Sequence, residues 1–203
     1  MDSKGKAAKR VSSKPRCWWC GDDPLYVKYH DEEWGVPLHD DQRLFEMLIL
    51  EGFQAGLSWI TILRKRENFR KAFYNFDPAR VAKLTKRDVE RLMNDAGIVR
   101  NRLKIEGTIA NAKAYFQVVE EFGSFDRYLW QFTNFKTIRS TPRPQKGSIR
   151  ATSPESDAMS KDMKKRGFKF VGSTILYAHM QATGMVDDHT AECFKAKRSK
   201  KAI

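Results

Sequence analysis

The stretch LFEMLILEGFQAGLSWI, residues 44 to 60, decides the fold. Drawn as a helix through Leu44, Phe45, Leu48 and Ile49, it carries apolar side chains round almost its whole circumference. That pattern predicts a central, buried helix, with Asp40 in front of it as N-cap. It does not predict a membrane span, because Glu46, Glu51, Gly52 and Gln54 interrupt it. Glu51 is the residue that demands a reason. It either turns to solvent at the helix end, pairs with Arg or Lys, or lines a pocket where a carboxylate meets a cationic or amino-bearing ligand. Glu46 breaks the same helix without aromatic neighbours in sequence and serves as the internal comparison. Trp19, Tyr26, Tyr29, Trp34 and Trp59 can wall such a pocket, although each taken singly also reads as core.

On the C-terminal side, Ser58 predicts the cap of a second helix through Ile60 and Leu63, with Arg64-Lys65-Arg66 as an exposed basic run. Thr85-Lys86-Arg87-Asp88 resembles a capping box that starts a helix through Val89, Leu92 and Met93, and Gly97 predicts a tight turn. Ile105, Ile109, Ala112, Phe116 and Val119 keep a 4-3-4-3 spacing, which predicts an amphipathic helix buried on that face. Ser124 predicts a short helix through Leu129 and Phe132, and residues 136 to 154 read as a surface loop. Ser156 predicts a helix to Arg166 with Gly167 as its stop, and Ser173 to Thr183 is the last long apolar helix. On the N-terminal side, Cys17 to Trp34 is rich in Trp and Tyr, with turn signals at Gly21-Asp22-Asp23-Pro24, and reads as loop with a short helical piece. No strand-period segment is longer than FKFVG at 168 to 172. The fold class is all-α.

The chain has 203 residues, 41% of them hydrophobic, which is enough for one domain or two small lobes and argues against disorder. Its net charge of +13 is concentrated at the ends. Residues 1 to 16 hold six basic side chains and one acid, and predict a basic disordered arm; residues 195 to 203 hold five and none, and predict a basic tail. The domain proper is then 17 to 194. Basic ends give salt-dependent attraction to phosphate backbones, and equally describe a soluble protein with solvated tails. The N-terminal segment has no apolar stretch behind its charges, so it is not a secretory signal. The reading is a soluble, intracellular protein. Three cysteines make no paired disulfide framework and suit a reduced compartment as thiols or metal ligands.

Cys17 and His30 near one end, with His189 and Cys193 near the other, make a Cys₂His₂ set suited to a tetrahedral, closed and therefore structural zinc site. Spacing alone slightly favours a rival set, Cys17 and Cys20 with His189 and Cys193, because C-x₂-C is the commoner half-site.

Four strings carry a resemblance: DPLYVKYHDEEWGVP (23 to 37), LFEMLILEGFQAGLSWITILRKRENFRKAF (44 to 73), VERLMNDAGIVRNRLKI (89 to 105) and SDAMSKDMKKRGFKFVGSTILYAHMQATGMVDDH (156 to 189). In this order they resemble the 3-methyladenine DNA glycosylase I family. The resemblance implies a zinc-containing, helix-hairpin-helix glycosylase that removes 3-methyladenine from alkylated double-stranded DNA, as a monomer and without a membrane partner. It implies zinc on Cys17, His30, His189 and Cys193, which reverses the preference for Cys20. It implies Glu51 as the base-recognising catalytic carboxylate, which when ionised adds a Coulomb attraction to a cationic base, and Trp19, Tyr26, Tyr29, Trp34 and Trp59 as the base pocket. It places the hairpin at Leu92 to Arg100, with DNA contacts at Gly97 and Arg100, and a wedge in the DNA stack at Gly56-Leu57. The compartment that follows is a bacterial cytoplasm, with the nucleoid, or a nucleus. Two alternatives stand beside the enzyme: a catalytically inactive, zinc-stabilised DNA-binding module, and an interaction protein whose basic tails bind RNA or acidic partners.

Overall fold

A computed structural model describes residues 14 to 198 of the chain; most of the basic arm and the end of the basic tail lie outside the described residues. The described chain is helical throughout, apart from a two-residue parallel pairing of β1 (Ile138–Arg139) with β2 (Val186–Asp187). Ten α-helices follow in order: α1 Pro24–Glu32, α2 Asp41–Gln54, α3 Trp59–Ala72, α4 Pro78–Val81, α5 Lys86–Met93, α6 Arg102–Phe122, α7 Phe125–Trp130, α8 Pro154–Lys165, α9 Ser173–Ala182 and α10 Phe194–Arg198.

Helix α2 is buried from Leu44 to Phe53 without a break, as its sequence predicts, and α3, α6, α7 and α9 pack round it. Its ends are fixed by side chains. Asp40 accepts from the Arg43 amide at 2.8 Å, capping the start. Asp41 accepts from the Phe125 and Asp126 amides at 2.9 and 2.8 Å, which sets α7 against α2. At the other end Lys104 of α6 is buried and donates through Nζ to the carbonyls of Phe53 and Ala55, at 2.9 and 2.8 Å. A cation there answers both the unpaired carbonyls and the negative end of the helix.

The Thr85–Asp88 capping box forms and starts α5, and Ser124 caps α7. Three expectations are corrected. The cap of α8 is Ser153, with Ser156 one turn inside it, and the two hydroxyls and amides reciprocate. Reading Ser156 as the cap missed that Pro154 is ideal at the first helical position. In α6 the buried stripe runs through Ile105, Thr108, Ala112, Tyr115 and Val118, and Phe116 is 43% exposed. The stripe includes polar residues, Thr108 and Asn111, that find partners at Lys104 and Lys169, so an apolar count places it one position off. Arg66 is not part of an exposed basic run but is buried against α2.

Gly184 ends α9 with φ +73°, and a Cβ there would lie 2.4 Å from the backbone of Val36 and Pro37. The close approach joins the segment after α1 to the end of α9. Gly184→Ala combines left-handed strain with a backbone collision and is expected to destabilise the protein by about 3 kcal/mol or more. Urea denaturation measures it; a loss below about 1 kcal/mol would mean that the joint is soft.

Candidate functional site

The two buried glutamates of α2, Glu46 and Glu51, are each 4% exposed and meet opposite surroundings. Five residues apart, they point about 140° from each other round the helix. Glu46 faces α3. Its Oε1 accepts from Arg66 Nε at 2.6 Å and its carboxylate lies 2.9 Å from Arg70, while Arg66 also reaches Glu33 at 2.6 Å. That is the ion-pair outcome. Glu51 faces a cavity, and among the described residues nothing hydrogen-bonds to it or neutralises it. Burial alone pushes its carboxyl up to about 8.

The cavity has a volume of about 200 Å³. All five aromatics named from the sequence line it, joined by Trp18 and Gln54, by Ala178 and Gln181 of α9, and by Ile149 of the loop before α8. The rings touch in series: Trp19 lies 5.2 Å from Tyr26 and 4.8 Å from Trp34, and Tyr29 lies 5.5 Å from Trp59, centroid to centroid. None of the pairs is a flat stack, so their faces are left for something else. Trp59 Nε1 is buried without a partner among the described residues, and burial drives the Tyr29 hydroxyl well above its ordinary range, keeping it a proton donor. Gln54, Gln181 and Ile149 escaped the sequence reading. Only Ile149 lay in a segment set aside as surface loop; the two glutamines carried no signal beyond their helices.

Behind the aromatic wall, Cys17, His30, His189 and Cys193 converge, all buried, with their ligating atoms within 4.8 Å of one another. Cys17 Sγ and Cys193 Sγ lie 3.5 and 3.6 Å from His189 Nδ1, and Cys193 Sγ lies 3.4 Å from His30 Nε2. A tetrahedral ion with bonds of about 2.0–2.3 Å has ligand–ligand edges of about 3.3–3.8 Å, so the spacing fits a metal. Asp31 Oδ1 lies 2.8 Å from His30 Nδ1 and is itself held by Arg16 at 2.7 Å, which leaves His30 Nε2 for the ion. Cys20 is corrected out of the set. It sits at the end of a single 3-10 turn and its thiol faces the Gly21 carbonyl. Trp34 ties this cluster to the pocket, 4.7 Å from His189.

The family model for methyladenine glycosylase matches residues 19–196. The chain belongs to that family. DNA-3-methyladenine glycosylase 1 of Escherichia coli K12 is 52% identical over 178 residues, covering 88% of this chain and 95% of that one. A crystal structure of a 3-methyladenine DNA glycosylase I superposes with a TM-score of 0.85 at 50% identity, over 89% of this chain and 98% of the other. A Staphylococcus aureus structure, which its description ties to 3-methyladenine recognition, superposes with a TM-score of 0.84 at 37% identity, over 88% and 95%.

Beside the pocket, this methyladenine glycosylase family member presents two exposed features. The Gln54–Leu57 turn closes on itself, the Leu57 amide on the Gln54 carbonyl at 2.6 Å and Gln54 Nε2 on the Leu57 carbonyl at 2.9 Å. Gly56 takes φ +85° there and Leu57 is 40% exposed. The turn between α5 and α6 is held from α3 by Lys65 Nζ, 2.9 Å from the Ala96 carbonyl. Its Gly97 amide, expected to be free, donates to Asp95 Oδ1 at 2.7 Å. The amides of Val99 and Arg100, by contrast, have no partner among the described residues. No helix among these residues is long and apolar enough to cross a membrane.

The contrast within α2 is testable by pH. Folding raises the Glu51 carboxyl from 4.5 to about 8. Between those values the folded chain holds a proton that the unfolded chain has released, so stability falls as pH rises, by up to about 1.4 kcal/mol per unit. Glu51→Gln is expected to melt with the wild type at pH 4.5 and above it at pH 8.5. Glu46→Ala takes one of two carboxylate partners from the buried Arg66 and is expected to lose about 3 kcal/mol at neutral pH. Thermal melts that rank the two variants alike would refute the assignment.

Proposed function

We infer that the protein is a DNA-3-methyladenine glycosylase, which excises 3-methyladenine from alkylated DNA by hydrolysing its N-glycosidic bond in base-excision repair. The observation that carries this is a buried, unneutralised Glu51 inside a pocket of unstacked aromatic faces. Names of relatives across most of the chain support it.

The target nucleotide leaves the duplex for the pocket, at a cost of a few kcal/mol. Stacking on Trp19, Trp59 and their neighbours offsets part of that, on the order of 1–3 kcal/mol per base. The N3-methylated base is a cation, attracted by ring faces and by a carboxylate. Near neutral pH Glu51 gives up its proton as the cation arrives, because an adjacent positive charge lowers a carboxyl that burial has raised. Neutral adenine brings no such charge, so selection works on charge as well as shape. When the bond breaks, its electron pair returns to the base, which departs neutral. Water adds to the sugar carbon and loses a proton to solvent. Such a leaving group needs little acid catalysis, and Glu51 acts chiefly by binding and orienting the base.

The rest of the surface serves the DNA. Helices α5 and α6 act as a helix-hairpin-helix that holds a phosphate on the Val99 and Arg100 amides beside the Arg100 side chain, whatever the sequence. Gly56 and Leu57 enter the stack. Cys17, His30, His189 and Cys193 would hold zinc, which would supply a structural cross-link between the two ends of the described chain. The enzyme acts as a monomer, in the company of chromosomal DNA in a bacterial cytoplasm or a nucleus.

Methylated duplex DNA with chromatography of released bases tests the reading. The wild type is expected to release 3-methyladenine with little 7-methylguanine. Glu51→Gln removes a charged hydrogen bond and is expected to slow release about 10- to 100-fold. A folded, metal-loaded wild type that releases nothing would leave the inactive DNA-binding module as the function. Cys193→Ser is expected to lose zinc by elemental analysis and to melt well below the wild type; unchanged metal content would overturn the ligand set.

A further inference from the structure

Charge and stacking separate 3-methyladenine from adenine, but not from 3-methylguanine, which is also a methylated purine cation with ring faces. The two differ at C2, where guanine carries an amino group that adenine lacks, and at C6, where adenine carries an amino group that donates hydrogen bonds and guanine a carbonyl that accepts them. A pocket that distinguishes them at C6 needs an acceptor of fixed orientation.

Gln181 supplies one. It lies on α9 one turn after Ala178, lines the pocket with it, and is 9% exposed. Its side-chain nitrogen donates to Asp188 Oδ2 at 2.7 Å. Asp188 is almost wholly buried, and it also accepts from the Tyr177 hydroxyl at 2.8 Å and from the Ser140 hydroxyl. A carboxylate in that company offers only lone pairs. Turning the Gln181 amide over would set two oxygens against each other, so the choice between its oxygen and nitrogen is decided by chemistry. Backbone bonds hold the residue as well, since the Gly35 amide donates to the Gln181 carbonyl at 3.0 Å. What remains is Oε1. Nothing among the described residues donates to it, it keeps contact with solvent, and the residue that carries it lines the cavity.

We propose that Gln181 is a specificity-determining residue, whose Oε1 accepts from the exocyclic amino group of 3-methyladenine and opposes the C6 carbonyl of 3-methylguanine. Asp188 is a positioning residue that keeps the amide in that orientation. The proposal rests on the glycosylase reading and refines it. A site built round a hydrogen bond rejects the analogue that turns an attractive contact into a lone-pair clash. The neighbouring carboxylate, Glu51, also accepts once ionised, so the pocket presents two acceptors to a base whose amino group can serve both.

The experiment compares kcat/KM for release of 3-methyladenine and of 3-methylguanine from the same methylated duplex DNA. Wild type, Gln181→Met and Asp188→Asn are assayed. Methionine keeps the length and volume of glutamine without its oxygen. Gln181→Met is expected to lower the rate on 3-methyladenine about tenfold or more while the rate on 3-methylguanine holds or rises. Asp188→Asn is expected to shift the ratio in the same direction, less steeply, because the amide is then free to turn. Each ratio comes from one sample, so it is insensitive to the folded fraction, and circular dichroism with metal content confirms the fold. Equal losses on both bases, or an unchanged ratio, would overturn the role of Gln181 while leaving the glycosylase intact. Release of neither base by the wild type would overturn the glycosylase reading itself, and this proposal with it.

Discussion

Burial of α2 is the constraint that the rest of the structure answers. Ten successive residues, Leu44 to Phe53, are removed from water, and two of them are carboxylic acids. Burying a charge without compensation is costly enough that a protein pairs it or protonates it. The chain does one of each. Arg66 and Arg70 are brought in from α3 to meet Glu46, which locks α3 to α2. Among the described residues Glu51 is left without a partner, and the difference between the two faces separates framework from cavity.

The pocket depends on joints that lie well outside it. Residues from the two ends of the described chain meet at the Cys₂His₂ cluster, and Trp34 touches both the cluster and the cavity. The Phe194 amide donates to the Pro15 carbonyl at 2.8 Å, which closes the ends a second time. On the opposite side Lys104 fastens the end of α2 to α6 just before the exposed Gly56-Leu57 turn. Lys65 fastens α3 to the hairpin in the same manner. The floor of the pocket, the exposed turn and the hairpin are thus tied by lysine contacts to backbone carbonyls, which makes relative motion among them expensive.

Much of this was legible in the sequence, where local rules act. The circumference of α2, the Thr85–Asp88 box and the Ser124 cap are short-range patterns, and they appear as read. Glu51 stood out because a carboxylate contradicts its own apolar surroundings. What failed depended on contacts made elsewhere. Spacing ranks Cys20 with Cys17, yet a single 3-10 turn sends its thiol towards Gly21, and spacing holds no information about that direction. Arg66 looks like one of three exposed cations until Glu46 and Glu33, from distant parts of the chain, are placed beside it. Gly97 looks like a free amide until Asp95 takes it. Gln181 was invisible for the same reason: its orientation is set by Asp188, seven residues on and past the helix end.

One wall of the pocket differs in kind from the others. Glu51 and the aromatics come from helical segments, or for Trp34 from the turn that follows α1, whose neighbouring residues also hold the core or the Cys₂His₂ cluster, so altering them disturbs the framework. Ile149 comes from the irregular stretch between β1 and α8. That stretch is anchored at its start by the β1–β2 pairing and by Ser140 and Arg143 on Asp188 and Asp187, and at its end by the Ser153 cap, and residues 145 to 152 can change between those anchors without repacking a helix. Lineages carrying this fold therefore have a separable element with which to reshape the cavity mouth. A new loop there reshapes the cavity mouth while Glu51 and the Cys₂His₂ cluster stay where they are.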